Sequence, residues 1–332
     1  MNRNKLLLLP ALFLTACGGE LQNTITLTGP AQGTTYHISY VAGAFANYRT
    51  SIDSIFQQID RSLSTWQPGS LISRINRYEA DTVDAHFTAV FTKAMEVAQK
   101  TGGLFDPTVA PLVQAYGFGF KHKEKLTPAR IDSLRQHIGY QKVSLTGRKL
   151  IRQTPGLMLD FNAIAPGYTV DLIAAFLQNK GIANYLIELG GEVRAKGNRQ
   201  DGSPWTLGIQ EPDEDPAAEA RLNTRIALDN KALATSGNYK NFYVSEGQKY
   251  SHILHPHTGL PARNNLLSAT VIAPDCITAD AYATACMVLG EKGARQFVQA
   301  HPELQLAVYL IYDEAGTTKT WFSPDFPAPG AP

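Results

Sequence analysis

Strand-like alternation and amphipathic helical periods interleave along almost the whole chain, with no internal repeat and no linker between them. Residues 25–40 alternate apolar and polar side chains around a Gly-Pro turn, the period-two signature of strands. Ile52, Ile55, Phe56, Ile59 and Leu63 fall on one face of a helix. Phe87, Val90, Phe91, Ala94 and Ala98 fall on one face of a second, stopped by Gly102 and Gly103. Thr127-Pro128 starts another, because threonine offers an N-cap oxygen and the fixed φ of proline suits the first helical position. Ile131, Leu134 and Ile138 are its inner face, and Gly139 ends it. Val170, Ile173, Phe176 and Leu177 mark a further helix, closed by Lys180-Gly181. Residues 143–152 read as a hairpin, as do 304–312 with 319–322; strands are expected at 185–189, 205–210, 225–228 and 269–273, and helices over 279–289 and 292–300. This mixture predicts an α+β fold in a single mixed α/β domain over residues 25–324. The acidic run 211–219 reads as a solvated loop and the Pro-rich segment 325–332 as a loose tail.

The charges nearly cancel: 30 Lys and Arg stand against 29 Asp and Glu in 332 residues. No basic patch or stripe supports nucleic-acid binding. The N-terminus departs from the rest. Arg3 and Lys5 precede an apolar run from Leu6 to Leu14, too short to span a bilayer, and small residues follow up to Cys17. Leu14-Thr15-Ala16-Cys17 resembles the bacterial lipoprotein box. On that reading residues 1–16 are a signal peptide, Cys17 is lipidated, and 17–24 form a tether. The chain is then lipid-anchored to a bacterial membrane, facing the periplasm or the cell exterior. The competing reading is an ordinary secretory signal with an incidental cysteine. Cys276 and Cys286 could pair in an exported protein or stay as buried thiols.

Several segments carry polar chemistry. Gly103-Leu104-Phe105-Asp106-Pro107-Thr108 follows a helix, Leu159-Asp160 through Pro166-Gly167-Tyr168 joins a strand to a helix, and Glu188-Leu189-Gly190-Gly191-Glu192 ends a strand. Glycine at such turns lets backbone N–H groups approach an anion, although a tight turn needing positive φ explains each equally well. Asp280 and Thr284, four residues apart at an expected helix start, project from one face. A carboxylate and a hydroxyl are hard donors suited to Mg²⁺; alternatively Asp280 only stabilises the helix N-terminus. His252, His255 and His257 lie close together, but only the last two share a strand face, which weakens a zinc site. No G-x-S-x-G elbow, H-E-x-x-H pair or complete G-x-G-x-x-G fingerprint is present.

In order and content these pieces resemble the FAD:protein FMN transferase family, the ApbE-like proteins. The matching motifs are Gly33-Thr34-Thr35-Tyr36, Leu63-Ser64-Thr65-Trp66, Phe105-Asp106-Pro107-Thr108 and Leu159-Asp160 through Val170-Asp171. They continue with Glu188 through Glu192, Ala234-Thr235-Ser236-Gly237, His252-Ile253 through Thr258-Gly259, and Ala279-Asp280 through Thr284. The resemblance implies a single domain of the T-fold-related type that takes FAD, moves its FMN half to a Ser or Thr of a target protein, and releases AMP. FAD pyrophosphatase activity and non-catalytic flavin binding are the alternatives. It further implies Mg²⁺ held by the Ala163 carbonyl, Asp280 and Thr284. An FAD site would be formed by Trp66, Leu104, Phe105, Asp106, Asp160, Pro166, His252 and Ile253, with His252 as general base. The implied partners are flavoprotein subunits of membrane electron-transfer complexes. Gln32, Pro166, His255 and His257 depart from residues common in the family.

Overall fold

The computed structural model describes residues 22–43, 46–118, 124–212, 221–238, 242–245, 248–251, 253–328 and 330. Cys17 and His252 lie outside the described residues. The centre of the fold is an eight-stranded sheet in the order Gln22–Ala31, Thr34–Gly43, Tyr185–Leu189, Glu192–Lys196, Lys231–Gly237, Leu266–Ala273, Ala307–Glu314 and Thr317–Phe322. Every neighbouring pair is antiparallel.

Strand parity sorts the side chains onto two faces. Val308, Leu310, Val271 and Ala269 pack toward the helices, whereas Tyr309, Ile311, Ile272 and Leu233 pack on the opposite side. The first face is covered by α1 (Arg49–Leu63), α3 (Ala85–Lys100), α6 (Ala165–Asn179) and α7 (Cys276–Ala300). Short helices α2 (Leu71–Asn76), α4 (Ala110–Ala115) and α5 (Pro128–Arg135) flank them. Sequence reading missed α2 and α4, whose six residues are too few to show a helical period. The second face is covered by a two-stranded ribbon, Thr206–Gln210 with Leu222–Ala227, anchored by Trp205 and Ile226.

Caps set the helix starts. Asp84 accepts from the Phe87 N–H at 2.8 Å, and Thr127 accepts from Arg130 at 3.2 Å with Pro128 behind it. At α7 the cap is Asp275, which accepts from Thr278 at 3.0 Å. The helix therefore begins at Cys276, earlier than the 279–289 expected from sequence, and Asp280 sits inside it rather than at its end. Gly290 breaks α7 with φ of +71°, where the two expected helices meet. Asn264 Nδ2 donates to the freed Met287 carbonyl at 2.8 Å.

The chain end differs from the loose tail expected after Pro324. Phe326 is buried, its ring 5.3 Å from that of Tyr309, and the Gly330 N–H donates to Arg225 at 3.1 Å. An aromatic side chain among prolines still has apolar area to bury. Cys276 and Cys286 are free, buried thiols. Among the described residues no helix is long and apolar enough to cross a membrane.

Candidate active site

A cleft of about 1370 Å³ opens where loops from both halves of the sequence converge on α7. That is more than the roughly 300–1,000 Å³ of a drug-sized site and leaves room for a dinucleotide. Trp66, Leu104, Phe105, Asp106, Asp160, Ala163, Ile253, Asp280 and Thr284 all line it, so residues spread over more than two hundred positions are brought together. Pro166 does not line the cleft. It occupies the first turn of α6, where its missing N–H and fixed φ suit the helix start.

The loop after α3 is tied down through Asp106. One carboxylate oxygen accepts from the Thr108 N–H at 2.8 Å and its hydroxyl at 2.6 Å, and the other accepts from the Tyr140 N–H at 2.9 Å. Burial pushes this carboxyl up, against the pull of those three bonds. Gly103 has φ of +82°, and a Cβ there would lie 3.1 Å from His257 Nε2, so the loop needs glycine for both reasons. Asp160 closes a turn of its own: it accepts from the Asn162 N–H at 2.7 Å and from Asn162 Nδ2 at 3.2 Å. The Asp160 N–H donates to the Pro107 carbonyl at 2.8 Å, which joins the two loops. Burial raises the Asp160 carboxyl as well. At the rim Trp66 is 54% exposed, a flat apolar surface offered to an incoming ring.

Asp280 is almost fully buried, and one oxygen accepts from the Gly167 N–H of α6 at 2.9 Å. Burial pushes its carboxyl up to about 7, with the Asp171 charge adding to the effect. Gly167 is required because α6 and α7 nearly touch: a Cβ there would lie 2.4 Å from the Cys276 carbonyl oxygen. The same junction is held by Asp171, which accepts from the Cys276 and Ile277 N–H groups at 2.9 Å and pairs with Arg194. One turn beyond Asp280, Thr284 Oγ1 lies 3.1 Å from Ser236 Oγ.

The charge of the cleft bears on the implied cation. Its described lining contains Asp106, Asp160, Glu188, Glu192 and Asp280, and no Lys, Arg or His. Such a wall repels a pyrophosphate unless a divalent cation lies between them, and a carboxylate, a hydroxyl and the Ala163 carbonyl are suitable oxygen donors. The residues present therefore fit Mg²⁺. Among the described residues no group of three or more His, Cys, Asp or Glu is placed to hold a metal, a pattern that a site with one carboxylate would not produce. The His255 and His257 rings stand 5.5 Å apart, and burial lowers the His255 pKa. Sequence reading gave no role to Ser236 or to residues 207–210, which also line the cleft; the lone glycine at 208 within a strand was the available signal.

A model of the ApbE family matches residues 32–309. The chain belongs to the ApbE family. A Vibrio cholerae protein named FAD:protein FMN transferase is 34% identical over 333 residues, covering 98% of each chain. A Haemophilus influenzae protein of the same name is 34% identical over 316 residues, covering 91% of this chain and 90% of that one. Among solved structures, the flavin transferase ApbE from Vibrio cholerae superposes with a TM-score of 0.81 at 33% identity, over 92% of this chain and 98% of that one. The apo flavinyl transferase ApbE from Pseudomonas stutzeri gives 0.82 at 30% identity, over 91% and 95%. The mixed α/β architecture is thus that of the ApbE proteins.

Proposed function

We propose that this chain is an FAD:protein FMN transferase that moves FMN from FAD to a Ser or Thr hydroxyl of a target protein and releases AMP. The observation that carries the reading is the convergence of the ApbE motifs on one dinucleotide-sized, carboxylate-lined cleft. FAD would lie along it, with its flavin toward Trp66 and its pyrophosphate toward Asp280 and Thr284. Mg²⁺, held there with the Ala163 carbonyl, would neutralise charge on the pyrophosphate and orient the phosphorus for in-line attack. The acceptor hydroxyl oxygen forms the new bond to the FMN phosphorus as the bond to the AMP oxygen breaks. His252, in the segment leading to Ile253, would accept the hydroxyl proton.

Incubation with FAD, Mg²⁺ and an acceptor protein tests this. Transfer yields AMP together with covalent flavin on the acceptor; AMP with free FMN would instead mark a pyrophosphatase, and no AMP a binding protein. In the same assay His252→Ala should keep FAD affinity while transfer falls by about 10²–10⁴.

We also place the chain on a bacterial membrane, through a lipid on Cys17, facing the periplasm or the cell exterior; the tether expected over 17–24 is shorter than that, since residues 22–24 already pair in the first strand. Its acceptors would be flavoprotein subunits of membrane electron-transfer complexes. The basic, then apolar, then small-residue N-terminus supports this reading. Cys17→Ala should release the chain from membranes or leave residues 1–16 attached; unchanged mass and fractionation would remove the anchor from the proposal.

A further inference from the structure

The ribbon that covers the second face of the sheet has two edges, and they differ. In the pairing of Thr206–Gln210 with Leu222–Ala227, Gly208 lies opposite Arg225 and Leu207 opposite Ile226. The Leu228 N–H donates to the Trp205 carbonyl at 3.0 Å, which fixes the parity of the ladder. Residues 207 and 209 bond inward to the partner strand, and residues 206 and 208 turn their N–H and C=O groups outward. On the Leu222–Ala227 side the outward carbonyl of Arg225 is taken by the Gly330 N–H at 3.1 Å. On the Thr206–Gln210 side no strand is paired among the described residues, and Thr206 and Gly208 are exposed. That open edge belongs to the cleft: Leu207, Gly208, Ile209 and Gln210 line it together with Thr235, Ser236, Asp280 and Thr284.

An open strand edge inside a substrate cleft offers a donor and an acceptor at every second residue, about 6.6–6.8 Å apart. A flavin ring can match one such residue, whereas an extended polypeptide matches the repeat. Natural proteins cover or blunt edges that have no partner; here one outward carbonyl of the far edge, that of Arg225, is taken by Gly330, whereas the near edge has no strand beside it among the described residues. We infer that the Thr206–Gln210 edge receives the acceptor as an added antiparallel or parallel strand, with an extended segment carrying the reactive Ser or Thr laid along it. The inference rests on the flavin-transfer reading above. Backbone pairing would supply affinity with little demand on sequence, and a segment laid on this edge would enter the cleft that Thr235, Ser236 and Asp280 also line. Glycine at 208 serves packing within the ribbon, because a Cβ there would lie 2.4 Å from the Leu222 side chain.

The probe is a pool of decapeptides with one central Thr and no other Ser or Thr, incubated with the full chain, FAD and Mg²⁺. A flavinylated peptide is then resynthesised with one backbone nitrogen methylated at a time. Each lost edge hydrogen bond should lower kcat/KM for the peptide by about two- to tenfold. The losses should recur at alternate positions, with the intervening ones unaffected. Gly208→Pro, which removes the outward N–H, should lower the ratio of peptide flavinylation to FAD hydrolysis by a similar factor. Losses without period two, or an unchanged ratio in Gly208→Pro, overturn the inference. So does a concentration-dependent dimer that Gly208→Pro dissolves, since a second copy would then occupy the edge. If wild type flavinylates a folded protein but no peptide, the docking inference falls and the flavin-transfer reading stands. If it releases AMP and puts flavin on neither, the transfer reading falls with it.

Discussion

Asp106 and Asp280 line the same cleft and are held in contrasting ways. They are 7% and 4% exposed, and burial raises both carboxyls, so exposure and the direction of titration do not distinguish them. Their partners do. Both oxygens of Asp106 are engaged by Thr108 and Tyr140, within the loop and turn that it joins. Asp280 has one oxygen on the Gly167 N–H and lies one helical turn from a second oxygen donor, Thr284. On the function proposed above, the first would act as a brace and the second as a cation ligand. A buried carboxylate in a cleft therefore declares its role through what already satisfies it.

The comparison breaks most visibly at Asp280. Asp280→Ala should lower AMP release and flavin transfer by about 10²–10³, the usual loss for one well-placed electrostatic contact to a transition state, with the circular dichroism spectrum retained. Near-normal turnover would make Asp280 a second brace, like Asp106. A smaller effect concerns the support of Asp280. Gly167→Ala should destabilise the fold by about 1–3 kcal/mol, read by urea denaturation, because the new methyl meets a backbone carbonyl in a fixed helix–helix contact. Unchanged stability would mean that α6 and α7 separate easily and hold Asp280 loosely.

The smallest effect is a pH dependence at Asp106. Its folded pKa is raised above the unfolded value, so in the acidic window between the two the folded state binds more protons. Its contribution to stability therefore grows as pH falls through the folded pKa toward the unfolded one. Asp106→Asn cannot titrate, so its deficit in denaturation midpoint relative to wild type should widen as the pH is lowered through that window. A deficit that narrows instead would mean that the three hydrogen bonds outweigh burial.

Most elements of the fold were legible in local pattern. Helical periods located α1, α3, α5 and α6, and turn chemistry located Thr127-Pro128 and the hairpin at 143–152. Two expected helices flank the break that Gly290 makes in α7. Less legible were Glu192–Lys196 and Lys231–Gly237, central strands covered on both faces. Glu192–Lys196 alternates charged residues with Val193 and Ala195 but is only five residues long, whereas Lys231–Gly237 carries Ala232, Leu233 and Ala234 buried in succession, with no alternation. Pro166, expected at the nucleotide site, stands in the first turn of α6 outside the cleft lining, because only part of its sequence motif faces the cleft.

By itself the sequence determined the mixed architecture, the ApbE motifs and the residue types available for holding a cation and a nucleotide. These are local properties: period, cap, turn and motif order are all set within a few neighbouring residues. The tertiary structure alone decided that Asp280 meets the Gly167 N–H of α6, and that the second oxygen of Asp106 is taken by the Tyr140 N–H. It also decided that the Thr206–Gln210 edge opens into the cleft. Each of these depends on which distant group reaches a given polar atom first, and that is fixed only when the sheet and its helices close around one another.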